Sequence, residues 1–271
     1  MACNFCYVPF DGREESEQTA RRVIDRIAQW EVRNITFGGG DPLMYPYFCN
    51  LLGYTRMKLG KDTLVQVDTN GLQLHSAHID EFAKSVDIVG LPLETTSKYV
   101  AGAMRRYPKH PAIVLGLLEN LTRRNIAVKI NTVVTRENLE GLISLGKALS
   151  PYRVQLWSLY QFWPIGPSDA SDCADKIVED QEFLDAVDRL RRIYPEMQME
   201  IGLVAERSPG YFFVTQTGRS YTVASGVTDQ YAELGSIFDN SVTNNWLRHS
   251  NPTMNAERAY SRERLVRAAK S

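Results

Sequence analysis

The chain has 271 residues, 44% hydrophobic and 23% charged, an ordinary balance for a folded globular protein with room for a large core. Its formal net charge of −1 excludes a global field that would draw it to nucleic acid or an anionic membrane, and no apolar run is long enough to span a bilayer. Four cysteines (Cys3, Cys6, Cys49 and Cys173) are too few and too scattered for a secreted disulfide scaffold, so a reducing cytoplasm is the expected compartment.

The chain opens on MACNFCYVPF, with Cys3 and Cys6 three positions apart. A structural zinc site normally draws four ligands from two such pairs, and no second pair follows. A thioredoxin-type redox pair would follow a strand and open a helix, and no strand is read before this one. From Ser16, a fitting helix cap, Ala20, Val23, Ile24, Ile27 and Trp30 recur at helical spacing and predict a helix over 16–31. A strand at 34–39 then runs into Gly38, Gly39, Gly40, Asp41 and Pro42. A helix over 46–59 leads to a strand at 63–69 that ends in Asp68, Thr69, Asn70 and Gly71. A helix over 75–84 leads to a strand at 86–93 that runs into Glu94. Next come a helix over about 111–124 and a strand at 127–135 carrying Lys129, Asn131 and Thr132. A helix over 137–149, a strand at 153–162 ending at Gln161 and Phe162, and a helix over 179–194 complete this pattern. After about residue 196 the pattern changes: MEIGLVAE reads as a strand and GYFFVTQTGRSYTV as a hairpin turning at QTG.

Strand–helix alternation of this kind gives βαβ units and a parallel sheet. Five such strands without a breaking linker favour an open barrel over two separate domains. In parallel α/β folds the chemistry sits at the C-terminal ends of the strands, so the glycine and polar groups named above line one rim. Glycine lets backbone approach a ligand closely, and an acid beside such a loop suits an ammonium group.

CNFCY resembles the last two cysteines of the Cys-x3-Cys-x2-Cys motif of the radical S-adenosylmethionine superfamily, with Tyr7 as the aromatic residue that follows. FGGGDPL resembles that family's Gly-Gly-Glu-Pro motif, with Asp41 in place of the commoner glutamate. DTNG and INTVVTRENLEGL match its third and fifth strands, so the resemblance covers about residues 1–165. It implies an α/β fold: a partial (β/α)6 TIM-type barrel over 1–165, closed by a C-terminal helix and small β extension over 166–271. It also implies a 4Fe-4S cluster held by Cys3 and Cys6, S-adenosylmethionine, and an electron donor such as flavodoxin or ferredoxin. Reductive cleavage would give a 5′-deoxyadenosyl radical that takes hydrogen from substrate. Tyr7, Gly39, Gly40, Asp41, Asn70, Asn131, Gln161 and Phe162 are the implied cofactor contacts, with adenine near Gln161 and Phe162. The family uses three cysteines, and its spacing puts the first one two positions before Met1. Met1 is therefore expected to be an internal methionine, with the first strand also upstream. Cys49, in a helix with a core-residue look, is the weaker candidate for third ligand; Cys173, in a polar loop, receives no role.

The C-terminal third resembles viperin-like enzymes, which convert nucleoside triphosphates to 3′-deoxy-3′,4′-didehydro products. That resemblance implies Lys129 as a triphosphate contact and Tyr211 as a catalytic tyrosine approaching the site; Arg105, Arg106 and Lys109 form a basic loop after the third strand that suits phosphate, or a solvated surface turn. Ser158 stands where those enzymes carry a lysine. Three classes stay open: a radical enzyme acting on a small molecule, such as a nucleotide; a radical enzyme modifying a peptide; and a non-catalytic relative without the cluster.

Overall fold

Six parallel strands form one sheet in sequence order: β1 (Asn34–Phe37), β2 (Leu64–Asp68), β3 (Ile88–Pro92), β4 (Ala127–Val134), β5 (Leu156–Gln161) and β6 (Met199–Gly202). The computed structural model describes residues 3–8, 15–74, 76–105, 107–124, 126–165, 173–207, 211–224 and 230–249. Such an ordered parallel sheet, curled on itself, is the partial barrel expected from the strand–helix alternation.

Side chains alternate along each strand, and the two faces differ in chemistry. Ile35, Phe37, Val65, Val67, Val89, Leu91, Val128, Ile130, Trp157 and Leu159 belong to the main core, packed under the helices. On the opposite face Leu64, Ile88 and Ala127 form a small apolar plug toward the N-terminal ends of the strands. Further along that inner face come Asp68, Lys129, Asn131, Ser158, Tyr160 and Glu200. This polar layer leads to the rim.

The helices are α1 (Glu17–Ala28), α2 (Phe48–Leu59), α3 (Ser76–Ala83), α4 (Lys98–Arg105), α5 (His110–Arg123), α6 (Leu142–Leu149) and α7 (Asp180–Ile193). Ser16 caps α1 as expected, accepting from the Thr19 N–H at 3.2 Å, and Ala20, Val23, Ile24 and Ile27 form its buried face. Cys49 lies on α2 but is exposed, so it is not the core residue its sequence context suggested. Helix α4 has no counterpart among the sequence-predicted elements. Among the described residues no helix is long and apolar enough to cross a membrane.

Two further differences concern the C-terminal part. Only the first half of MEIGLVAE is strand; Val204–Arg207 turns into a short helix, α8. Moreover, β6 pairs in parallel with β5, from Trp157 opposite Met199 to Tyr160 opposite Gly202, so the barrel sheet reaches past residue 165. Beyond it, β7 (Phe213–Val214), β8 (Arg219–Ala224) and β9 (Gln230–Ser236) make an antiparallel sheet, followed by α9 (Val242–Leu247). The expected hairpin turns over Thr215–Gly218, where the Gly218 N–H meets the Thr215 carbonyl at 2.9 Å and Gly218 takes φ 84°.

Candidate active site

The cysteine loop is fastened to the barrel by apolar packing and one buried ion pair. Phe5 is buried with Met104, Phe162 and Cys173, and the Asn4 N–H donates to the Met104 carbonyl at 2.9 Å. Cys173 is therefore buried beneath the loop, whereas the sequence placed it in a polar loop. The Arg105 guanidinium sits over the Phe5 ring at 5.1 Å and donates to the Cys3 Sγ at 3.3 Å. It also forms a double bond-pair with the Glu94 carboxylate, through Nε to Oε2 and through Nη2 to Oε1 at 2.5 Å. Both side chains are buried, at 8% and 2% exposure. Burial pushes the Cys3 thiol up, against the pull of the Arg105 charge. The three residues expected as a basic phosphate loop, Arg105, Arg106 and Lys109, have different surroundings where described. Arg105 ends α4 with its charge already matched by Glu94, Lys109 is exposed before α5, and Arg106 lies outside the described residues.

Asp41 joins two rim loops. Its buried carboxylate accepts from the Leu43 N–H at 3.0 Å, the Asn70 N–H at 2.9 Å and the Thr69 hydroxyl at 2.9 Å. Three protein donors therefore occupy a group that the sequence reading reserved for a ligand ammonium. Gly39 beside it takes φ 114°, a region that suits glycine. The Asn70 side chain accepts from the Leu72 N–H at 2.9 Å, a local turn. The Asn70 carbonyl accepts from His110 Nε2 at 3.0 Å, which fixes the proton on that nitrogen.

His110 is 1% exposed, and burial, helped by the Arg105 charge, lowers its pKa from 6.5 to about 4. Between those values the unfolded chain binds a proton that the folded chain does not, so stability falls as pH drops through that window. The full loss is about 3 kcal/mol. Urea unfolding followed from neutral to acidic pH should show this slope, and His110→Gln should remove it. An unchanged slope in the variant would assign the acid sensitivity to other groups.

On the inner face Gly90 makes room for its neighbours. A Cβ there would lie 1.9 Å from Asp68 Oδ1 and 3.0 Å from Asn131 Nδ2, so those two side chains close over the glycine. Asp68 accepts from Gln66 at 2.7 Å, while the buried Oδ1 of Asn131 has no hydrogen-bond partner. Gly90→Ala should cost about 1–3 kcal/mol through displacement of Asp68. A matched melting temperature in the variant would show that Asp68 moves aside freely.

Lys129 is 2% exposed and lies within this layer. Its ammonium donates to the Tyr160 hydroxyl at 2.8 Å and lies 3.2 Å from Glu200 Oε2. Glu200 also accepts from the Ser158 hydroxyl at 2.7 Å. No motif singled out Glu200, because its strand was not expected to join the barrel.

The C-terminal sheet supplies an aromatic wall. Tyr7 lies 5.8 Å from Trp163 and 6.3 Å from Phe213, ring to ring. Tyr211 lies 6.0 Å from Trp163 and stacks on Phe213 at 5.2 Å. Burial keeps the Tyr7 phenol protonated far above its usual range, with Tyr211, Tyr160 and Asp68 adding to the rise and Arg207 opposing it. The wall, the cysteine loop and the barrel interior therefore meet around Tyr7. Gln161 and Phe162 do not join this wall. The Gln161 amide donates to the Val178 carbonyl at 2.9 Å and Asp180 at 2.7 Å and accepts from the Val204 N–H at 3.0 Å, while Phe162 is buried beside Phe5.

The Radical SAM superfamily model matches residues 1–148. The chain belongs to the radical SAM superfamily. It is 24% identical over 269 residues to a protein named S-adenosylmethionine-dependent nucleotide dehydratase in Flammeovirga pacifica, covering 88% of both chains. A protein of the same name in Lacinutrix mariniflava is 29% identical over 251 residues, which cover 86% of this chain and 50% of that one. Among solved structures, Streptococcus suis SuiB bound to S-adenosylmethionine shares the fold at TM-score 0.66 and 16% identity, over 94% of this chain and 64% of that one.

Radical SAM proteins use a 4Fe-4S cluster and S-adenosylmethionine. The residues present fit the second through two features of the rim: the partnerless, buried Asn131 Oδ1 and the glycine backbone at Gly39. They fit the cluster at two thiols, Cys3 and Cys6, on one loop beside the Arg105 cation. Among the described residues no three His, Cys, Asp or Glu side chains gather as a metal site.

Proposed function

We propose that this radical SAM enzyme acts on a small anionic molecule with a flat ring system, a nucleotide, held between the barrel interior and the C-terminal sheet. When bound, the cluster and S-adenosylmethionine supply a 5′-deoxyadenosyl radical that abstracts hydrogen. Cys3 and Cys6 would hold iron, and the Gly39 and Gly40 backbone would receive the methionyl ammonium, with Asp41 holding their loop to Thr69 and Asn70. Asn131 Oδ1 accepts a ribose hydroxyl. Tyr7, Trp163 and Tyr211 cover the mouth and exclude water, and Tyr211 is the group poised to give or take a proton at its phenol oxygen. Electrons come from a flavodoxin- or ferredoxin-type donor in a reducing cytoplasm.

The observation that carries the substrate class is the meeting of the aromatic wall, the cysteine loop and the polar inner face around Tyr7. There, aromatic rings suited to a base stand over an interior that holds Lys129 and Arg207. The end-to-end similarity to a protein named as a nucleotide dehydratase supports the same reading. The test uses protein reconstituted anaerobically with iron and sulfide, reduced by dithionite and given S-adenosylmethionine. A nucleoside triphosphate should raise 5′-deoxyadenosine formation and itself lose one water. If no nucleotide does so and a peptide does, the peptide-modifying reading replaces this one.

A further inference from the structure

Among the described residues, the inner face and rim hold three buried cations, Arg105, Lys129 and Arg207, and two of them have a matching acid. Arg105 is paired with Glu94, and Lys129 lies 3.2 Å from Glu200. Arg207, at 4% exposure, pairs with no carboxylate among the described residues, and its Nε–H has no hydrogen-bond partner. We infer that Arg207 anchors an anionic oxygen group of the substrate, a phosphate or a carboxylate, at the barrel mouth; this rests on reading the rim around Tyr7 as the substrate site.

The local structure holds the guanidinium ready for this. Arg207 ends α8, and its Nη2 donates to the Gln161 carbonyl at 2.5 Å. Its guanidinium carbon lies 4.7 Å from the Trp163 ring centre and 5.3 Å from that of Tyr160. Gly202 clears the way for the stem: a Cβ there would lie 2.5 Å from Tyr160 Cδ1 and 3.0 Å from Arg207 Cδ. Two aromatic faces and a carbonyl fix the plane of the group, yet none of them carries a full negative charge. A buried guanidinium left without a counter-charge is costly, and an arriving oxyanion removes that cost while accepting from the free Nε–H and a terminal N–H together. Lys129 is the weaker anchor, because an anion arriving there must compete with Glu200 and enter its field. The arrangement therefore moves the anion site from Lys129, the position expected from the sequence, across Tyr160 to Arg207.

The experiment measures binding by calorimetry to the reconstituted protein with S-adenosylmethionine. The probes are ATP, CTP, GTP, UTP, their nucleosides, inorganic phosphate and acetate. One triphosphate should bind; Arg207→Met should weaken it roughly ten- to a hundredfold and leave the matching nucleoside unchanged. Arg207→Lys, which keeps the charge but loses the planar fork, should fall between the two and carries the test if the methionine variant does not fold. If no nucleotide binds but phosphate or acetate does, and Arg207→Met abolishes it, the nucleotide reading fails while the anion anchor stands, and the probe that binds names the group. Equal weakening of nucleoside and nucleotide, loss in Lys129→Met but not in the Arg207 variants, or no binding of any anion would overturn the inference.

Discussion

Arg105→Met should lower the unfolding free energy by about 3–5 kcal/mol, because it leaves the Glu94 carboxylate charged and unpaired in the protein interior. Both partners are almost fully buried, and the carboxylate is gripped by two guanidinium nitrogens, so water cannot replace the lost partner in place. The cysteine loop should loosen as well, since the same guanidinium covers Phe5 and donates to Cys3. Urea unfolding of the single variant and of Glu94→Gln with Arg105→Met separates the two effects. The double variant should recover a large part of the loss, because it removes the stranded charge. A loss below about 1 kcal/mol, the range of an exposed pair, would mean that the two groups are solvated.

Cys3→Ala and Cys6→Ala should each bring bound iron and the visible absorption of the reconstituted protein to background if, as proposed, each thiolate holds one iron of the cluster. Cys49→Ala should leave both unchanged, because its side chain lies exposed on α2. Cys173→Ala should keep the iron but lower stability by leaving space beside Phe5 and Met104. Loss of iron in the Cys49 variant would move that residue into the ligand set.

The barrel was legible in the sequence because its strands are short β-branched runs, each followed by glycine or small polar residues that cannot continue a strand. LVQVD, IVGLP and AVKINTVV are found as β2, β3 and β4 within a residue or two of their expected bounds. Helix α4 escaped because KYVAGAMR is only eight residues long with a glycine in its middle, and its packing against the cysteine loop is a tertiary contact. Strand β6 was seen, but its partner was not: four residues carry no signal of which sheet they join.

The site shows the same division. Positions that depend on backbone, such as the Gly39 loop and the Asn70 turn, follow from motifs that read locally. The pairings do not: Arg105 with Glu94 and Lys129 with Glu200 join residues 11 and 71 positions apart, by subtraction of their numbers. The sequence motifs therefore pointed to four cations, Arg105, Arg106, Lys109 and Lys129, as phosphate contacts. The fold instead matches Arg105 and Lys129 with acids and leaves Arg207, which no motif had singled out, without one among the described residues.

The central claim is that Cys3 and Cys6 hold a cluster that binds S-adenosylmethionine at the barrel rim. Electron paramagnetic resonance of the reconstituted, dithionite-reduced protein, with and without S-adenosylmethionine, tests it most directly. The account predicts a reduced-cluster signal that changes shape when S-adenosylmethionine is added and that is missing in Cys6→Ala. A signal that ignores S-adenosylmethionine, or one that persists in Cys6→Ala, would contradict it.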